Sequence, residues 1–210
     1  VAIILSMINV AGTTLLLPAF KARDFLELAA REGMTHTVLV PAMYNLLLRE
    51  PQRTSYDLQS WHLGSYGGAP MPESAIVALG EWLPRLSLVN GYGATETSSP
   101  TSLTPIGEGF ARRETVGKPV HCADVIVVDD NGCEVPHGTA GEIWIRGPMV
   151  VPGYWRDAEA TRASFTAGYW HSGDIGSIDA EGFLRLVDRK KDMINRGSYK
   201  IYSVEVAYVL

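Results

Sequence analysis

The sequence predicts an α/β fold followed by a β-rich, barrel-like subdomain, and three observations predict it. Helical and strand-like segments alternate as far as Asn90, as in a mainly parallel sheet. After Pro119 short β-branched runs and tight turns replace that rhythm. Two glycine-rich loops, "SYGGAP" and "NGYGATE", each follow a strand-like run, where α/β sheets present ligand sites at their carboxyl edge. The expected organisation is residues 1–118 as α/β, 119–188 as β-rich, and 189–210 as a hinge opening into a further domain.

The elements follow in order. "VAIILSMINVAGTTLLL" carries no charge, yet polar residues from Asn9 to Thr14 interrupt it and no basic segment precedes it. A membrane span needs about 20 predominantly apolar residues, so a buried helix followed by a buried strand, "TTLLL", is expected instead. "ARDFLELAAREG" has helical periodicity and a terminating Gly33, "THTVLV" is a strand, and "PAMYNLLLRE" is a helix opened by proline. "LGSYGG", "PESAIVALGEWLP" and "LSLVNGYG" extend the alternation. Downstream, "DDNG" and "DAEG" mark turns between strands, and "DAEATRASF" interrupts the strands as a helix. "VDRKKDMINRGSYKIYSVEVAYVL" begins with a basic hinge-like stretch and ends in a helix expected from Ser203.

Composition narrows the function. The chain has 210 residues, 46% of them hydrophobic, enough for a sizeable core. Its net charge of -5, with no long run of either sign, does not suggest a broad surface for nucleic acid or anionic membrane, and small-molecule chemistry is expected instead. Cys122 and Cys133 lack a metal-ligand or disulfide spacing, so a reducing, cytoplasmic setting is expected.

Four loops carry candidate chemistry. In "GYGATE", Gly91 and Gly93 permit positive φ or close approach to a ligand, and Tyr92 offers a ring face. Thr95 offers a hydroxyl to phosphate and Glu96 a hard oxygen to magnesium. "YGGAP" places Gly68, Ala69 and Pro70 as a flat surface. In "WHSGDIG", Asp174 is a carboxylate able to accept both hydroxyls of a ribose diol, while His171 and Ser172 lack the context of a nucleophile and its base. "DRKKD" supplies Arg189 as a planar cation. Each loop taken singly also reads as an ordinary turn or solvated stretch.

Together, "YGGAPMP", "NGYGATET", "GEIWIRGPMVVPGYW", "GYWHSGDIG" and "DRKKDMINRGSYKIYSVEV" resemble the adenylate-forming superfamily over nearly the whole chain. That superfamily includes acyl-CoA synthetases, firefly luciferase and nonribosomal-peptide adenylation domains. The resemblance implies the later part of a large N-terminal domain plus the start of a C-terminal one. It implies that a carboxylic acid reacts with MgATP to give acyl-AMP, then with CoA to give a thioester. Gly68, Ala69 and Pro70 would line the adenine and acyl site, and Tyr92 would stack on adenine. Gly91, Gly93 and Ala94 would form the floor beside the acyl substrate, Thr95 would bind the α-phosphate, and Glu96 would hold magnesium. Asp174 would take the ribose hydroxyls with help from Arg189, Lys191 would be the hinge, and Gly197 would lie on the CoA side.

Ala94, where amino-acid-activating domains more usually have proline, favours a fatty or aryl acyl-CoA ligase, and a medium- or long-chain fatty acid is the expected substrate. Ser198 stands where the family more commonly has a second glycine. The family's phosphate loop and its C-terminal lysine have no counterpart in the sequence, so a fragment is expected, inactive by itself. A non-catalytic nucleotide- or acyl-binding module and an adenylation domain for another acid are the alternatives. Oligomeric state is open, a homodimer being one option.

Overall fold

The computed structural model describes residues 2–192, 194–196 and 199–201. The chain divides into two compact units, Val1–Gly91 with Thr104–Arg113, and Tyr92–Leu103 with Glu114–Leu210.

The first unit begins with α1 (Ala2–Asn9), α2 (Ala22–Arg31), β1 (His36–Leu39) and α3 (Pro41–Arg49). β2 (Leu63–Gly67), α4 (Glu73–Trp82) and β3 (Ser87–Tyr92) follow, Tyr92 being the first residue of the second unit. β1, β2 and β3 are parallel neighbours, joined by helical crossovers, as parallel pairing requires. Helix α3 starts at Pro41, whose missing N–H costs nothing in a first turn, and α2 ends ahead of Gly33 at φ +59°. Leu26, Tyr44, Leu47, Trp61, Ile76, Leu79 and Leu88 are wholly or almost wholly buried in this unit's core. Two polar tips in that core are satisfied: Tyr44 Oη donates to the Ser65 carbonyl (3.1 Å), and Trp61 Nε1 to that of Leu63 (3.1 Å).

The expected buried helix and buried strand at the start take a different form. Helix α1 exists, but Leu5 and Ile8 are 59% and 68% exposed, and "TTLLL" forms no strand, with Leu16 74% exposed. A helix closes its hydrogen bonds internally whether or not its side chains are covered, whereas a strand needs a neighbour. None of the described strands pairs with residues 13–17. No described helix is long and apolar enough to cross a membrane.

The second unit contains β4 (Ser102–Leu103), β5 (Lys118–Pro119), β6 (Asp124–Val128), β7 (Gly141–Arg146) and α5 (Ala158–Ser164). β8 (Phe165–Thr166), β9 (Tyr169–Ile178), β10 (Leu184–Arg189), β11 (Ile194–Arg196) and β12 (Tyr199–Ile201) complete the described elements. β4 pairs with β5, and β11 with β12, both antiparallel. The main sheet is antiparallel in the order β10-β9-β7-β6, with β8 beside β9; it is β-rich as expected, and the order has two ends among the described strands. Val127, Ile143, Ile145, Trp170 and Leu184 form its core, with Tyr92 and Ala94 packed against them. The expected turns are present: Asp129 Oδ1 accepts from the N–H groups of Asn131 and Cys133, and Asp179 Oδ1 from those of Glu181 and Phe183. Asp157 caps α5 by accepting from the Ala160 N–H (2.9 Å). Gly197, Ser198 and the helix expected from Ser203 lie outside the described residues.

Candidate active site

In the first unit the candidate residues cluster at the carboxyl ends of two parallel strands. Gly67 of β2 lies opposite Gly91 of β3, so close that a Cβ on Gly67 would stand 2.3 Å from the Gly91 carbonyl oxygen. Any side chain there would force the two strand ends apart. Gly68 follows at φ +77°, a turn that swings Ala69 and Pro70 out as an exposed loop before Met71 returns to the core.

In the second unit the chain runs through Tyr92 and Gly93 to a single 3-10 turn, Thr95–Thr97. Sequence reasoning gave Gly91 and Gly93 two options, positive φ or close approach, and neither has positive φ. Gly93 is required for space, since a Cβ would lie 3.0 Å from the Thr101 nitrogen and 3.2 Å from Pro100 Cα. The left-handed residues of this loop are Ser98 and Ser99. Thr97 locks the turn: its Oγ1 accepts from the Ala94 N–H (3.0 Å), donates to the Ala94 carbonyl (3.1 Å) and meets Thr101 Oγ1 (2.9 Å). Buried Thr97 therefore carries the scaffold, which leaves Thr95 exposed and Glu96 half-buried at the tip.

Asp174 sits on β9 and is 9% exposed. Tyr92, 82 residues earlier, donates its hydroxyl to Asp174 Oδ2 (2.7 Å), and Arg189 Nε lies 3.1 Å from Oδ1. The structure thus brings together three of the residues predicted from sequence. Burial, and then the adjacent carboxylate, push the ionisation of Tyr92 far above the ordinary tyrosine range, so its hydroxyl is a neutral donor at neutral pH. The Asp174 N–H donates to Ser172 Oγ (3.0 Å), and Ser172 Oγ donates to the Ile143 carbonyl (2.7 Å). Gly173, at φ +69°, makes the bend, and its carbonyl accepts from the Lys190 N–H (2.8 Å). Lys191 lies in an exposed turn directly after this ladder.

Sequence reasoning missed Tyr154, whose hydroxyl donates to Glu96 Oε1 (3.0 Å), and Ser172 as the support of Asp174. The only hint of Tyr154 was its place in "PGYW", because its partner lies 58 residues away. His171 stacks on Trp144 (ring centroids 4.0 Å apart) and meets Thr166 Oγ1 through Nε2, so it serves the sheet rather than Ser172.

The turn offers a cation one carboxylate, that of Glu96. Among the described residues no group of three or more His, Cys, Asp or Glu could hold a metal ion. A cation at Glu96 would take one protein oxygen and complete its shell with phosphate and water oxygens, as magnesium does in nucleotide sites.

Comparisons with known proteins give these loops a family. A model of the AMP-binding enzyme family matches residues 1–155. The chain is 36% identical over 183 residues to the long-chain-fatty-acid–CoA ligase of Escherichia coli O6:H1, covering 86% of this chain and 32% of that protein. It is 36% identical over 196 residues to a feruloyl-CoA synthase of Amycolatopsis sp, covering 93% and 39%. Its fold matches O-succinylbenzoate coenzyme A synthetase (MenE) from Bacillus subtilis in complex with ATP and magnesium ion, with a TM-score of 0.89 and 29% identity over 99% of this chain and 42% of that one. The chain thus spans about a third to two fifths of the length of these relatives. Three quarters of it falls within one family model, and it belongs to the AMP-binding enzymes.

Proposed function

We propose that the protein activates a carboxylic acid with ATP, forming acyl-AMP and pyrophosphate, and then transfers the acyl group to the thiol of CoA with release of AMP. The observation that carries this reading is the Tyr92–Asp174–Arg189 constellation, a nearly buried carboxylate held by a neutral donor and a planar cation. In the second unit Asp174 accepts the ribose hydroxyls, Arg189 steadies the same oxygens and Tyr92 turns its ring face to adenine; in the first unit Gly68, Ala69 and Pro70 are assigned to the adenine and acyl groups. Thr95 donates to the α-phosphate, and the backbone of Gly91, Gly93 and Ala94 leaves room for the acid. Glu96 holds magnesium, which when bound offsets charge on the phosphate oxygens. Lys191 is the pivot for the second step, and Gly197 belongs to the CoA side.

Within this reading the acid is a medium- or long-chain fatty acid, supported by the likeness to the fatty-acid ligase, while Ala94 favours a fatty or aryl acid over an amino acid. Equal identity to the feruloyl ligase supports an aryl acid as a second reading. A cytoplasmic setting is part of the same proposal, supported by the free thiols of Cys122 and Cys133. Residues 1–210 alone are expected to be inactive, since the relatives they match are more than twice as long.

The test is pyrophosphate exchange by the whole protein over a panel of fatty and aryl acids. Glu96→Gln and Asp174→Ala are each expected to cut exchange by about 100-fold or more. Exchange unchanged in both variants overturns the assignment, and pyrophosphate release by residues 1–210 alone overturns the expected inactivity.

A further inference from the structure

We propose that Tyr154 is the positioning residue for Glu96: its hydroxyl fixes one carboxylate oxygen so that the other is presented to the cation. This rests on the reading of Glu96 as the magnesium carboxylate.

The argument begins with donor direction. Trp170 Nε1 carries a hydrogen and no lone pair, so its contact with Tyr154 Oη (3.3 Å) makes the tyrosine oxygen the acceptor there. The tyrosine hydrogen must point elsewhere, and Glu96 Oε1 lies 3.0 Å away. The chain of donation therefore runs from Trp170 to Tyr154 to Glu96, with Trp170 anchored in the core at 6% exposure. With Oε1 committed, Oε2 makes no hydrogen bond or ion pair among the described residues.

The backbone adds to this. The Val151 N–H donates to the Glu96 carbonyl (2.8 Å), and Ser98 Oγ donates to the Met149 carbonyl (3.0 Å). The turn bearing Glu96 is thus tied along residues 149–154. Tyr154 is itself clamped, since its N–H donates to Thr161 Oγ1 (2.9 Å), which donates to the Asp157 carbonyl (2.7 Å) at the start of α5. Its ring meets Phe165 edge-on at 6.2 Å. A free glutamate rotates about its last torsion and offers either oxygen or both. One bonded to Tyr154 offers a single oxygen in a fixed direction, which suits an ion that demands near-octahedral geometry.

The experiment measures Mn2+ binding, as a magnesium substitute, to the whole protein with a non-hydrolysable ATP analogue, by electron paramagnetic resonance. Tyr154→Phe removes only the hydroxyl and is expected to weaken Mn2+ binding by about 10- to 100-fold. Metal-free nucleotide affinity should stay within about threefold. In a Glu96→Gln background the second substitution should have no further effect, because both act through the same carboxylate. Unchanged Mn2+ affinity in Tyr154→Phe, or additive losses in the double variant, overturns the positioning role even if Glu96→Gln alone weakens the metal. Unchanged affinity in Glu96→Gln overturns the metal assignment itself, and the positioning role with it. A fall in unfolding temperature without a change in Mn2+ affinity assigns Tyr154 to stability alone and also overturns it.

Discussion

Ser172 shows how much of a site rests on a residue with no chemistry of its own. Its oxygen accepts from the Asp174 N–H and its hydrogen goes to the Ile143 carbonyl, so one hydroxyl ties the bend at Gly173 to the core strand β7. Ser172→Ala removes both of these hydrogen bonds. The variant is expected to lose about 1–3 kcal/mol of stability, read as a lower denaturant midpoint. At this scale the candidates stood out by residue type only, since a Gly-Asp at a bend and a Thr-Glu after a glycine loop each read singly as an ordinary turn, and their proposed roles rest on the loops taken together. What joins them was not legible. Tyr92 to Asp174 and Tyr154 to Glu96 are contacts between segments far apart in the chain, and no local spacing encodes them.

At the scale of elements, β7 and β9 give their outer side chains a shared environment. His171 lies flat on Trp144, with Glu142 and Lys190 as charged neighbours that pair with each other (2.8 Å). Burial is the main reason that the imidazole resists protonation; Lys190 adds to that resistance, while Glu142 and a backbone contact with Ala163 oppose it. Above pH 6.5 both folded and unfolded chains hold a neutral histidine, so the shift has no effect. As pH falls below that value the unfolded chain takes up a proton that the fold resists, and stability declines. The unfolding temperature is therefore expected to fall between pH 7.5 and pH 5.5, and to fall less in His171→Gln. The helices and strands themselves were readable, because Pro41, Gly33, Asp157 and the "DDNG" and "DAEG" turns punctuate the chain where their backbone preferences demand. The opening apolar segment misled for a physical reason. Hydrophobicity says that a segment gains from a partner, and it does not say that the partner lies within these residues.

For the molecule as a whole, that segment leaves Ile4, Leu5, Ile8, Val10 and Leu16 exposed. Exposed apolar side chains promote association, so residues 1–210 are expected to self-associate, with Leu5→Lys and Ile8→Lys together lowering the apparent mass in light scattering. The Tyr92–Asp174–Arg189 constellation bears on the whole molecule in another way. A carboxylate in open solvent must shed ordered water before it grips a sugar, and that dehydration opposes binding. Asp174 has been buried in advance, its charge faced by the Arg189 guanidinium and hydrogen-bonded by the neutral Tyr92 hydroxyl, and each oxygen keeps a second lone pair. On the proposed reading, a ribose arriving there would join an existing circle of donors, the cost of emptying the seat having been met when the chain folded.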